Sequence, residues 1–221
     1  MTELVRRGIY ALPAAGILTA VPWIFLLGHP SIKTDPDGYA RSVTTASNSF
    51  GGYLYLAGLI CLLFGLLALY GYLARTPAAS WAALGMIVSV IGIALALPVF
   101  GILGLTDSVL ADVYLAGHKD VSAAMLLLSG GSFSNRITAY FGVFIFVCLI
   151  GAIAYAVAVW RSGSLPRWAG VLLAAGFVLT MTLSPVVAWV GALCLLVGGG
   201  WLARSMSQAS SSIVPAETTP A

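Results

Sequence analysis

His29, Asp112, His118 and Asp120 are the residues of this chain best suited to chemistry. Imidazole and carboxylate together suit zinc, so the four form a candidate outer-face metal site. Their spacing matches no known ligand pattern, and Lys119 places a cation between His118 and Asp120. Solvated loop charges and helix caps account for them more simply. No catalytic residue, metal or cofactor is therefore assigned. Cys61, Cys148 and Cys194 all fall in apolar stretches without a C-x-x-C pair and read as buried thiols acting as small hydrophobes.

The rest of the reactive repertoire is missing from the apolar segments. They contain no Asp, Glu, Lys, Arg or His, the usual intramembrane marks of ion pathways and proton relays. Axial haem ligation by histidine and a Schiff-base lysine are thereby excluded, and Met86, Met125 and Met181 are scattered as packing residues would be. Ser89 and Ser184 lack a neighbouring base. There is no phosphate loop, dinucleotide fingerprint or H-E-x-x-H. Tyr10, Tyr55, Tyr70, Tyr140, Tyr155, Thr180 and Thr182 remain as polar groups, and hydroxyls of this kind bond a neighbouring helix or backbone.

The elements that must position these residues are set by hydropathy. Of 221 residues 60% are hydrophobic and 8% charged, with a mean hydropathy of +1.02; soluble domains carry about 25% charge. Uncharged runs occupy 8–28, 42–74, 76–106, 137–160 and the 36 residues between Arg167 and Arg204. A bilayer core about 30 Å thick takes about 20 helical residues. Backbone groups in lipid must be satisfied internally, and no alternating barrel pattern is present, so the spans are helices.

The expected fold is an all-α polytopic membrane protein, a six-transmembrane-helix bundle. Its spans lie near 8–28, 53–73, 81–104, 138–160, 168–183 and 187–203. The last two come from the 36-residue run, divided at Ser184-Pro185 because proline lacks a donor and disfavours helix just before it. A five-span arrangement with one kinked helix is the alternative. Residues 1–204 form one domain, and 205–221 read as a disordered cytoplasmic tail. The N-terminal run continues past its possible cleavage site at Leu18-Thr19-Ala20, so it reads as an uncleaved span.

The Lys/Arg bias gives the orientation. One side holds Arg6, Arg7, Arg75, Arg161, Arg167 and Arg204 against Glu3 and Glu217. The other holds Lys33, Arg41, Lys119 and Arg136 against Asp35, Asp37, Asp107, Asp112 and Asp120. Both termini should be cytoplasmic. Trp81, Trp160, Trp168 and Trp201 should anchor the inner interface, and Trp23 and Trp189 the outer one.

Trp81-Ala82 and Trp168-Ala169 open two odd spans, and Pro22, Pro98 and Pro185 lie toward the outer ends of all three. This reads as three parallel helical hairpin repeats. Gly16 with Ala20, Gly85 with Ser89, Gly170 with Ala174, and the pairs Gly58/Gly65 and Gly191/Gly198 allow close helix approach, chiefly within one subunit. In the outer loops, Asp35-Pro36 is an N-cap followed by a first-turn proline. Thr106 or Asp107 should cap a second short helix through Tyr114, and a third should begin at Asp120. These amphipathic pieces should lie on the outer surface as a cap.

Asp35-Pro-Asp-Gly-Tyr-Ala-Arg41, Phe50-Gly-Gly-Tyr-Leu-Tyr-Leu-Ala-Gly58 and Arg161-Ser-Gly-Ser-Leu-Pro-Arg-Trp-Ala-Gly170 resemble a widespread group of bacterial integral membrane proteins. The group has similar length, about six predicted helices and no established activity. The resemblance spans most of 1–205 and implies a bacterial cytoplasmic (inner) membrane, with no catalytic residue to carry over. The functional expectation is a non-catalytic component binding a hydrophobic small molecule, a lipid or a protein partner. A transporter for an uncharged or apolar solute and an enzyme at the outer interface are the alternatives. Nothing in the charge pattern fits nucleic acid.

Overall fold

A computed structural model describes residues 7–26, 30–128, 135–182 and 184–211. Among these residues the regular structure is helical, without strands. The helices are α1 (Ala11–Leu26), α2 (Pro36–Val43), α3 (Ala46–Leu73), α4 (Ala79–Leu115), α5 (Ser122–Leu128), α6 (Asn135–Ser162), α7 (Arg167–Thr180) and α8 (Pro185–Ser211). A 3-10 turn at Lys119–Val121 precedes α5.

Among the described residues four helices are long and apolar enough to cross a membrane: α3, α4, α6 and α8. This corrects the expectation of six full-length spans. The two others are shortened by proline. Pro13 cannot donate to Ile9, and the chain turns at Ile9–Tyr10 before α1 begins. That leaves α1 with 16 residues, about 24 Å at 1.5 Å per residue. Pro185 divides the long uncharged run as expected, with α7 closing at Thr180 and the Ala188 amide bonding the Ser184 carbonyl at 2.9 Å. So α7 has 14 residues, about 21 Å.

The six long or apolar helices close into a ring. Each meets the next in the order α1, α3, α4, α6, α7, α8, and α8 returns to α1. The most extensive contacts are α1 with α3, α4 with α6 and α7 with α8, which are three successive hairpins. Each hairpin crosses where a threonine or serine residue meets a glycine. A Cβ at Gly58 would stand 2.7 Å from Thr19, one at Gly151 2.5 Å from Ser89, and one at Gly191 2.6 Å from Thr180. The match extends one heptad inward. Gly65 lies against Leu12, and Gly198 against Leu173; the positions in the middle hairpin are Ala82 and Ala158, both fully buried. The repeat is therefore registered on threonine or serine and glycine. The Trp-to-Pro offset places the second and third units one helical turn away from that register.

Apolar side chains cover the outside as well as the inside. Ile87, Phe146, Val186 and Val197 are all more than half exposed. Such a surface is unstable in water and ordinary in lipid. Trp81, Trp160, Trp168, Trp189 and Trp201 also face outward, but Trp23 is 7% exposed and belongs to the core. The expected interfacial anchor at Trp23 is thus an interior residue. Arg75, Arg161, Arg167 and Arg204 gather at one end of the ring, where the Arg167 guanidinium lies 5.3 Å over the Trp160 ring.

At the other end the expected cap is present in altered form. Thr106 and Asp107 start no new helix; α4 runs unbroken through them for 37 residues, about 55 Å. Residues 81–104 already fill about 36 Å of that, so the last turns project beyond the uncharged run. Helix α2 packs on this projection rather than lying flat. Ala40, Val43, Ala111, Tyr114 and Met125 form a second small core there. Asp35 caps α2 as expected, its carboxylate accepting from the Gly38 amide at 2.8 Å. Residues 205–211 of the expected disordered tail are helical. Helix α8 continues to Ser211, with Met206 fully buried; residues 212–221 of that tail lie outside the described residues.

Candidate functional site

Of the four candidate residues, Asp112, His118 and Asp120 lie among the described residues. Asp112 is exposed near the end of α4, and His118 and Asp120 are exposed around the 3-10 turn. His29 lies outside the described residues. Among the described residues no three His, Cys, Asp or Glu side chains come close enough to share a metal ion. Lys119 between them is engaged elsewhere. Its ammonium donates to Asp37 Oδ1 at 2.7 Å and lies 3.7 Å from the Tyr114 ring centre. The Lys119 partner holds the Asp37 carboxyl below its ordinary range, and Asp37 raises the Lys119 ammonium in turn. This tie is exposed and worth little by itself; it locates α2 over the end of α4.

The residues that do converge were not singled out as a site by the sequence. Beneath the cap an aromatic cluster crosses the ring. Trp23 of α1 meets Tyr55 of α3 edge-on at 6.0 Å, and Tyr55 meets Phe100 of α4 at 4.7 Å. Phe100 meets Phe144 of α6 at 6.3 Å, and Phe144 meets Phe141 at 5.2 Å. Such offset and edge contacts add about 0.5–1.5 kcal/mol per pair beyond burial.

Polar ends of these rings close helix carbonyls. The Tyr55 hydroxyl donates to the Thr180 carbonyl at the end of α7; carbonyls in a last turn have no partner in their own helix. Tyr140 donates to the Leu95 carbonyl at 2.8 Å, next to the Ala94 carbonyl that Pro98 leaves without its helical donor. Tyr155 donates to the Leu66 carbonyl at 2.8 Å, and Thr180 Oγ1 to the Gly176 carbonyl at 2.9 Å. These hydroxyls therefore serve neighbouring helices and backbone, as their positions in apolar runs implied.

Two polar groups at the cap end stay open among the described residues. Trp23 Nε1 is buried and has no partner there, and neither has Asp107 Oδ1. Asp107 is 9% exposed. Its other oxygen accepts from the Tyr39 hydroxyl of α2, so a mid-helix aspartate is bonded across to the cap instead of to its own backbone. Burial pushes the Asp107 carboxyl up from its ordinary range, against the opposing pull of Tyr39. The one hint in the sequence was that Asp107 is the first charge after the run 76–106. Trp23 carried none, since an end-of-span tryptophan normally faces the interface.

Cys148 is buried, Cys61 and Cys194 are half-buried, and all three are free thiols. Comparisons with protein families, curated proteins and solved structures found no match. The geometry thus defines a helical membrane protein with an aromatic site under a polar cap.

Proposed function

We propose that this chain is a non-catalytic membrane component that holds an apolar or amphiphilic molecule in its outer half, beside Trp23, Tyr55 and Phe100. The observation carrying this reading is the indole N–H of Trp23, buried inside an aromatic cluster and without a partner among the described residues. An unmet buried donor costs about 1–3 kcal/mol, and a ligand acceptor oxygen removes that cost. The apolar interior supports the same reading. Besides tyrosine and tryptophan, the buried polar or charged side chains among the described residues are Thr19, Ser89, Asp107 and Thr180. Sites for small apolar molecules are built in this way, with few polar groups on aromatic walls.

The test is native mass spectrometry of protein extracted in mild detergent. The wild type is expected to retain a small apolar molecule, and Trp23→Phe to retain about fivefold less, the loss of one hydrogen bond near 1 kcal/mol. A bare wild-type chain in every gentle detergent would overturn the reading.

The same proposal places all six ring helices across a bacterial cytoplasmic membrane, with both termini in the cytoplasm. The arginine end of the ring and the excess of aspartate at the cap support this orientation. The short α1 and α7 are accommodated by local thinning of the bilayer and by packing against longer neighbours. A fluorescent reporter that matures only in the cytoplasm, fused after Ala221, is expected to glow. A dark but full-length fusion would reverse the orientation.

A further inference from the structure

Asp107 stands on the same face of α4 as Phe100. Seven residues separate them, two helical turns, or about 10 Å along the axis. Phe100 belongs to the aromatic cluster, so the carboxylate lies directly outward of it. Three features set Asp107 apart from the other aspartates of the cap. It is 9% exposed, whereas Asp112 and Asp120 are exposed. Its Oδ2 is held by Tyr39, which fixes the plane of the group. Its Oδ1 has no partner among the described residues. Two cations of the cap are committed to Asp37 instead. Lys119 Nζ bonds Asp37 Oδ1, and Arg41 Nε bonds the Asp37 carbonyl at 3.3 Å.

A buried carboxylate oxygen oriented by a second bond and left open is poised for a donor from outside the chain. The rings beneath it, about 10 Å away along the axis, present apolar faces against which an alkyl chain packs. Neither a carboxylate nor a ring face favours an anionic head.

We infer that Asp107 receives the protonated amine of a single-chain amphiphile whose apolar body lies along Phe100, Tyr55 and Trp23. This rests on the proposed function and specifies its ligand class. The ammonium would donate to Asp107 Oδ1, Tyr39 would continue to donate to Oδ2, and no covalent step is involved.

The test uses full-length protein in nanodiscs of zwitterionic phosphatidylcholine, with empty nanodiscs subtracted. Radiolabelled dodecylamine and dodecanol are the matched probes, differing only in the head. Wild type is expected to bind the amine about tenfold more tightly than the alcohol, since charge-assisted hydrogen bonds are about twice as strong as neutral ones. Asp107→Asn retains a carbonyl oxygen for Tyr39 and should bind both probes equally, at the wild-type level for dodecanol. Equal binding of both probes by the wild type would overturn the amine assignment while leaving the apolar site intact. So would an amine preference that survives in Asp107→Asn. Binding of neither probe would remove the proposed function itself. The wild-type comparison decides the matter even where the variant fails to fold.

Discussion

Gly191→Val is expected to destabilise the bundle by about 3 kcal/mol, at the upper end of the usual cost of overpacking. A Cβ at Gly191 would lie 2.6 Å from the Thr180 backbone nitrogen and 2.8 Å from the Leu179 carbonyl carbon. Backbone cannot rotate out of the way as a side-chain tip can. Across the same crossing, a Cβ at Gly176 would meet the Leu195 nitrogen at 2.5 Å. Helices α7 and α8 would have to separate, and α7 is the shortest member of the ring. Lipid tails offer no hydrophobic penalty for that separation, so close packing holds the pair together.

Gly101→Ala is the matched control. Nothing lies within 4 Å of a Cβ there, and alanine in a helix gains roughly 0.5–1 kcal/mol over glycine. Unfolding titrations in mixed micelles with increasing dodecyl sulfate would measure both. Equal midpoints for Gly191→Val and Gly101→Ala would mean that the observed crossing does not exist.

Tyr155 should give the second large effect. It leads the fully buried side chains in size and is 1% exposed. Its ring fills the space against Gly85, whose Cβ would meet it at 3.1 Å. Its hydroxyl donates to the Leu66 carbonyl at 2.8 Å and contacts Met86 Sδ at 3.3 Å. One side chain on α6 thus touches α3 and α4. Tyr155→Ala is expected to cost about 3–5 kcal/mol, the range for deleting a large buried ring and leaving its cavity. Tyr155→Phe removes only the interhelical hydrogen bond and should cost about 0.6 kcal/mol, the average for such bonds in a membrane. The same titration reads both. If the phenylalanine variant lost as much as the alanine variant, the hydroxyl rather than the ring would be holding these helices.

The three crossings also differ from one another. Thr19 and Thr180 return their hydroxyls to carbonyls one turn back, Ala15 at 2.8 Å and Gly176 at 2.9 Å. Ser89, at the corresponding place, is fully buried, and its hydroxyl has no partner among the described residues. Serine lacks the methyl that restricts the threonine rotamer, and nothing in the structure explains why this hydroxyl is left open.

How much was legible in the sequence follows from the range of each interaction. Uncharged runs, the proline break at Pro185 and the Asp35 cap depend on residues close in the chain. The helical class, the helical cap and the division of α7 from α8 could therefore be read directly. Helix lengths were less legible. Pro13 shortens α1 through a turn at Ile9–Tyr10, while α4 runs on through Asp107, one oxygen of which is bonded by Tyr39, 68 residues earlier.

The site was hidden for the same reason. Trp23, Tyr55, Phe100 and Asp107 come from three helices, and no spacing in the chain relates them. Their types alone were uninformative, because a membrane protein uses tryptophan, tyrosine and phenylalanine throughout its interfaces. Hydropathy and proline determined where this chain is helical and that its solvent is lipid. Only the closing of the ring decided which tryptophan turns inward, which carboxylate is buried and which residue each close-approach glycine meets. Those choices depend on contacts between residues far apart in sequence, and such contacts exist only once the helices have met.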